Sequence, residues 1–93
     1  MFRFTAEAWE WGGDATWVFL TLPHDVADEI EAGATAKGFG SVPVDVEVGS
    51  SAWQTSLFPD KKQASYVLPL KAAIRKAESI EIGDRVQVRL TPR

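Results

Sequence analysis

Val42-Pro43-Val44-Asp45-Val46-Glu47-Val48 sets a valine at every second position, with a proline or a carboxylate between. A β-strand sends successive side chains to opposite faces, so this stretch has one apolar face and one polar face. Pro43 cannot donate to a ladder and belongs near the start of the strand or at a sheet edge. Gly49-Ser50 turns the chain. Ser51 to Phe58 follows as a strand with Trp53, Thr55 and Leu57 on one face and Ala52, Gln54, Ser56 and Phe58 on the other.

The same alternation extends both ways. Phe2, Phe4, Ala6 and Ala8 alternate with Arg3, Thr5, Glu7 and Trp9 in a first strand. Gly12-Gly13-Asp14 then supplies a hairpin turn, and Ala15 to Leu22, rich in β-formers, is its partner. Pro23 opens a short helix in which Val26 and Ile30 make an apolar stripe flanked by Ala27 and Ala34. Gly33 and Gly38 frame its exit and a loop through Gly40. Pro59-Asp60-Lys61-Lys62 is a polar turn leading to a short strand from Ser65 to Leu68. Pro69 opens a second helix, Leu70 to about Ala77, with Leu70, Ile74 and Ala77 as its expected buried stripe. Gly83-Asp84 turns into a last strand, Arg85 to Thr91, with Val86, Val88 and Leu90 inward.

Six short strands and two short helices in 93 residues leave little room for more than one domain, spanning residues 1–93. So many strands in so short a chain must protect their edges. The expectation is a mainly β fold: a six-stranded closed or nearly closed β-barrel with a helix at each end, with a twisted open sheet as the competitor.

Composition narrows the chemistry. There is no cysteine, which excludes disulfides, thiolate metal sites and a cysteine nucleophile, and fits a reducing cytoplasm. The single histidine, His24, cannot build a multi-histidine metal site. No apolar run reaches the ~18 residues of a membrane span, and the first residues lack the basic-then-apolar form of a signal peptide. The charge is uneven: up to Ser50 there are two bases and nine acids, and from Ser51 onward eight bases and four acids. An acidic first half argues against sequence-independent nucleic-acid binding, which relies on many phosphate contacts. It leaves room for a local anion site in the second half.

From Lys37 onward several runs resemble a bacterial family catalogued as a domain of unknown function, DUF1905. They are Gly40-Ser41-Val42-Pro43-Val44, Trp53 to Pro59, Tyr66 to Ala77 (with its Leu-Pro-Leu-Lys start) and Gly83-Asp84-Arg85-Val86-Gln87-Val88. Phe4-Thr5-Ala6 and Trp17 to Pro23 fit as well, so the resemblance covers nearly the whole chain. It implies a small β-barrel with short helices and no established activity. One departure is visible: the turn before Tyr66 usually carries glycine in such proteins and here reads Gln63-Ala64-Ser65.

Candidate functional residues follow from charge and aromaticity. Lys71 and Arg75 are four apart on the second helix with Lys76 adjacent, and Lys61 and Lys62 lie in a turn nearby in sequence. Arginine offers a planar fork for carboxylate or phosphate, and lysine a point charge. A small anionic ligand gripped by Lys71 and Arg75, with Trp53, Ser56 and Tyr66 as walls, is the binding site this pattern suggests. An ordinary solvated helix face is the plainer reading. Trp9 and Trp11 fall opposite Phe2 and Phe4, where the core or a helix covers them or a ligand or partner meets them; cover by the core or a helix is the favoured expectation. Large exposed apolar patches often mark interfaces.

A serine nucleophile lacks support, because Gly-x-Ser-x-Gly is absent and His24 lies just after a proline at a helix start. Gly38-Phe39-Gly40 opens a strand and lacks the Lys-Ser/Thr of a phosphate loop. No cofactor and no metal is expected. The functional expectation is a non-catalytic cytoplasmic binding domain for a small anionic ligand or a protein partner, away from membranes. A DNA-binding regulator of the swapped-hairpin barrel type and a small hydrolase are the alternatives.

Overall fold

The structure is a computed structural model and describes residues 1–13, 17–33 and 40–93. Its strands are β1 (Phe2–Trp11), β2 (Trp17–Thr21), β3 (Val42–Val48), β4 (Ser51–Asp60), β5 (Ser65–Pro69) and β6 (Arg85–Pro92). The helices are α1 (His24–Gly33), between β2 and β3, and α2 (Ala72–Ala77), between β5 and β6. The strands close into a barrel in the order β1-β2-β5-β4-β3-β6. All six pairings are antiparallel, including β1 with β6, so the open-sheet competitor falls away.

Two ten-residue strands make the closure. The first part of β1 pairs with β6 (Phe2↔Leu90 to Glu7↔Arg85), and its last part pairs with β2 (Ala8↔Leu20 to Trp11↔Trp17). In the same way β4 pairs first with β3 and then, from Phe58, with β5. The inward positions are those that the alternation marks: Ala6, Ala8, Val18, Leu20, Val44, Val46, Leu57, Leu68, Val88 and Leu90 are all buried. In β3 every valine is buried while Asp45 and Glu47 are exposed.

Because β2 and β5 are antiparallel neighbours, the helices that follow them sit at opposite ends of the barrel. α1 closes one end with Val26, Ala27 and Ile30, and its first helical bond runs from the Ala27 N–H to the Pro23 carbonyl at 3.0 Å. Ala34, the expected flank of that stripe, lies outside the described residues, as do Asp14 to Thr16 and the Gly38-Phe39 pair.

α2 departs from expectation. It buries no residue: Ala77 is exposed and Ile74 half-buried, while Leu70, which is buried, precedes the helix. Leu70 belongs to the barrel seam, since its N–H donates to the Val18 carbonyl at 2.9 Å. The helix therefore starts at Ala72 and is fixed through its exit. The Ile80 N–H reaches the Arg75 carbonyl (2.8 Å) and the Ser79 N–H the Lys76 carbonyl (3.4 Å), the paired bonds of a Schellman cap. Ile80 then packs against the core.

The turn before Tyr66 keeps a left-handed residue although it has no glycine: Ala64 has φ 51°. The Ala64 N–H donates to the Lys61 carbonyl, and Asp60 accepts from the Lys62 N–H (3.0 Å) and the Gln63 side chain (2.8 Å). These bonds hold alanine in a conformation that glycine adopts without steric cost. Ala64→Gly is accordingly expected to leave stability unchanged or raise it by up to about 1 kcal/mol, because relief of Cβ strain outweighs the added chain entropy. Urea unfolding of the two proteins checks this, and a loss above about 1 kcal/mol would contradict it.

Candidate functional site

The outer face of the barrel is aromatic along β1 and β2. Trp9 pairs with Phe19 and Trp11 with Trp17, and both pairs point away from the core because their neighbours Ala8, Val18 and Leu20 point into it. The Trp9 and Phe19 rings lie 5.4 Å apart between centroids, tilted by 42°. The Trp9 indole N–H donates to the Thr21 hydroxyl at 2.8 Å, which fixes the ring along the strand pair. Val67 of β5, paired with Thr21, is buried on this outer face and stands apart from the interior cluster.

Trp9, Trp11, Trp17, Phe19 and Val67 line a groove of about 730 Å³ together with Pro59 and Asp60 at the end of β4 and Lys61, Lys62 and Gln63 of the β4–β5 turn. That volume lies within the range of small-molecule sites, roughly 300–1,000 Å³. Trp11 is 63% exposed and Trp17 55%. The expectation that the core or a short helix covers Trp9 and Trp11 is therefore corrected: Trp11 is exposed, Trp9 is half-buried against Phe19 on the outer face, and α1 packs at one end of the barrel beside β5. Chain connectivity after Thr21 carries it there, away from the hairpin tip.

The groove's electrostatics are positive on one side. Lys61 and Lys62 are exposed and make no ion pair among the described residues. The Asp60 carboxylate is turned into the turn, where it accepts the two bonds given above. His24 reaches the same turn, its Nε2 lying 2.8 Å from the Gln63 carbonyl. The turn that carries both lysines is thus braced from two directions.

The five residues singled out from the sequence are distributed over separate places. Trp53 packs its indole against the barrel core, and its Nε1 is buried with no hydrogen-bond partner among the described residues. Ser56 pairs with Pro43 on the opposite face of β4 from Trp53. Tyr66 is buried at the α1 end, where it lines a cleft with Asp28 and Glu31. Lys71 and Arg75 belong to the α2 end, where Lys71 is the exposed residue preceding the helix and Arg75 Nε donates to the Leu70 carbonyl at 3.2 Å. The 730 Å³ groove takes none of the five.

Parity along β1 sets Trp9 and Trp11 opposite Phe2 and Phe4 but does not join them to Trp17 and Phe19. Register was the missing signal. Five residues, 12–16, separate Trp11 from Trp17, and pairing across that connection sets indole against indole.

Burial holds the Tyr66 phenol above its ordinary value near 10, and the Glu31 carboxylate adds to the shift. Unfolded, the phenol ionises near 10; folded, it keeps its proton to higher pH. Between those values the unfolded chain binds fewer protons, so stability falls as pH rises. Wild type is expected to lose urea resistance above pH 10 more steeply than Tyr66→Phe, and equal slopes would remove Tyr66 as the cause.

A small closed antiparallel barrel does not by itself fix an activity, which rests on the residues of a site. The family model described as "Domain of unknown function (DUF1905)" matches residues 4–90, and the chain belongs to that family. No curated protein matches it. No described helix is long and apolar enough to cross a membrane.

Proposed function

We propose that this domain is a non-catalytic binding module whose outer groove takes a small planar aromatic anion. The observation that carries the reading is the juxtaposition of exposed indoles with two lysines that make no ion pair among the described residues, across one groove. Stacking on tryptophan supplies affinity for a flat ring, and the lysine ammonium groups favour a carboxylate, sulfonate or phosphate at its edge. The small-anion expectation is kept, but its location moves from the α2 end to the β4–β5 turn. A cytoplasmic setting fits the absence of cysteine.

The alternatives draw less support. A DNA-reading role wants many phosphate contacts, and the groove offers two lysines. A hydrolase of the serine type wants a base beside the hydroxyl, and His24 is engaged with the Gln63 carbonyl.

The test is a fluorescence titration with 2-naphthoate, with 2-naphthylmethanol as its uncharged counterpart. Naphthoate is expected to quench the tryptophans saturably. Affinity should fall about tenfold or more in Trp11→Ala/Trp17→Ala and in Lys61→Ala/Lys62→Ala, since each pair removes one kind of contact. These positions are exposed, so folding is expected to survive. Equal affinity for the uncharged compound, or no loss in the lysine variant, would overturn the reading. So would concentration-dependent self-association that buries the same indoles, which would make the patch a protein interface.

A further inference from the structure

The outer face of β1 and β6 sets two arginines against each other. Arg3 and Arg89 are directly opposite in the register of these strands. Both point outward, because the neighbours Phe4, Val88 and Leu90 point into the core and are buried. Opposite residues of an antiparallel pair have Cβ atoms about 4.5–5.5 Å apart, and like charges placed so are destabilising. Two steps further along the same strands' outer face, Glu7 stands opposite Arg85, the combination of signs that a sheet favours. The Arg3–Arg89 pair is the exception, and it costs stability unless something negative is shared between the two.

The protein supplies only part of that charge. On its β3 side Arg89 faces Glu47, and a single nitrogen, Nη2, meets both the Glu47 carboxylate (3.4 Å) and the Gly49 carbonyl (3.2 Å). Nε and Nη1 of Arg89 are left over among the described residues. Arg3 is exposed and makes no ion pair among the described residues. One carboxylate thus stands against two guanidinium groups. Between the two charged pairs lie Thr5 and Gln87, again directly opposite, a hydroxyl beside a carboxamide. Arg3, Thr5, Gln87 and Arg89 together line a cavity of about 310 Å³ with Phe4 and Val88, and no acidic residue lines it.

We propose that this face carries an oxyanion site for the phosphate group of a small phosphate monoester, held between Arg3 and Arg89 with Thr5 and Gln87 beside it. A guanidinium presents its N–H donors as a planar fork that matches two oxygens of a phosphate. Two forks on neighbouring strands, with a hydroxyl and an amide N–H next to them, suit a tetrahedral dianion with three terminal oxygens. A carboxylate has two oxygens and one charge, so a single fork satisfies it. The dianion also offsets the positive charge that Glu47 leaves uncompensated. This cavity shares no residue with the aromatic groove, so neither reading rests on the other.

The full chain is titrated at neutral pH with glycerol 3-phosphate, which has no ring to stack on tryptophan. The Nε–H signals of Arg3 and Arg89 are followed by NMR. Sodium chloride at matched ionic strength and sodium acetate are the controls. A saturable shift of both signals is expected with glycerol 3-phosphate alone. The dissociation constant should rise about tenfold or more in Arg3→Gln and in Arg89→Gln, since each removes one fork, and the remaining arginine reports in each variant. Arg85→Gln removes the same charge from β6 outside the cavity and should leave the constant unchanged. Arg3 gives up no ion pair among the described residues, so Arg3→Gln is expected to fold. It decides the matter if Arg89→Gln, which loses the Glu47 contact, does not. A non-saturating shift, the same shift with acetate or chloride, an unchanged constant in Arg3→Gln, or an equal loss in Arg85→Gln would overturn the site.

Discussion

Leu68→Ala is expected to lower the unfolding free energy by about 3–5 kcal/mol, the upper part of the range for a buried leucine. Leu68 of β5 faces Leu20 of β2, and both side chains are completely buried. They sit at the middle of the seam that closes the barrel, which consists of Phe19↔Pro69, Leu20↔Leu68 and Thr21↔Val67. One of those residues is a proline with no N–H to give, so side-chain packing carries more of this seam than of the others. A cavity here removes contacts from both strands at once. Domains of this size hold only about 5–15 kcal/mol in total. The melting temperature should fall by roughly 15–30 °C. Leu20→Ala should behave alike, and the two losses should not add, because the side chains touch. Calorimetry and urea unfolding measure both quantities. A loss under about 1 kcal/mol would mean that the seam relaxes into the void and that packing across it does not hold the barrel shut.

That seam also shows where sequence reading succeeds and stops. Alternation in Val42 to Val48 and in Arg85 to Leu90 marks the inward residues of β3 and β6 correctly, because those strands have one wet face and one dry face. β5 offers no such contrast: Ser65, Tyr66, Val67 and Leu68 are all buried. Its outer face is covered by aromatics and its first residue bonds the Leu22 carbonyl through the Ser65 hydroxyl at 2.7 Å. The second helix misled for a related reason. Leu70, Ile74 and Ala77 have helical spacing, but Leu70 is held by the β2 backbone, so the stripe begins in the barrel wall and never reaches the core again. The basic cluster on that helix was legible as charge, whereas its distance from the aromatics was not. Trp9 and Trp11 could be placed outward from parity alone. Their conversion into a groove required the partner register and the position of the β4–β5 turn, neither of which a local pattern encodes.

Gly49→Ala is expected to cost about 2–4 kcal/mol, more than a surface turn normally loses, because two effects coincide. The residue has φ 57°, where a Cβ is strained. A Cβ there would also run into the carboxylate of Glu78, the residue that ends α2. That carboxylate accepts a hydrogen bond from the Ser51 hydroxyl at 2.6 Å, so the bare glycine lets the helix exit tie down the β3–β4 turn. The substitution must displace Glu78 and forfeit the bond. Ser51→Ala isolates the bond and should cost about 1–2 kcal/mol by itself. Combined with Gly49→Ala it should add almost nothing, since the bond is already gone. Gly49→Asn separates the remaining two effects. Asparagine tolerates the left-handed conformation but still brings a Cβ. If the collision with Glu78 dominates, Asn is as damaging as Ala; if backbone strain dominates, Asn recovers most of the loss. Urea unfolding of the four variants decides it. Full additivity between Gly49→Ala and Ser51→Ala would show that Glu78 moves aside freely and that α2 is held at its end of the barrel by the Ile80 packing alone.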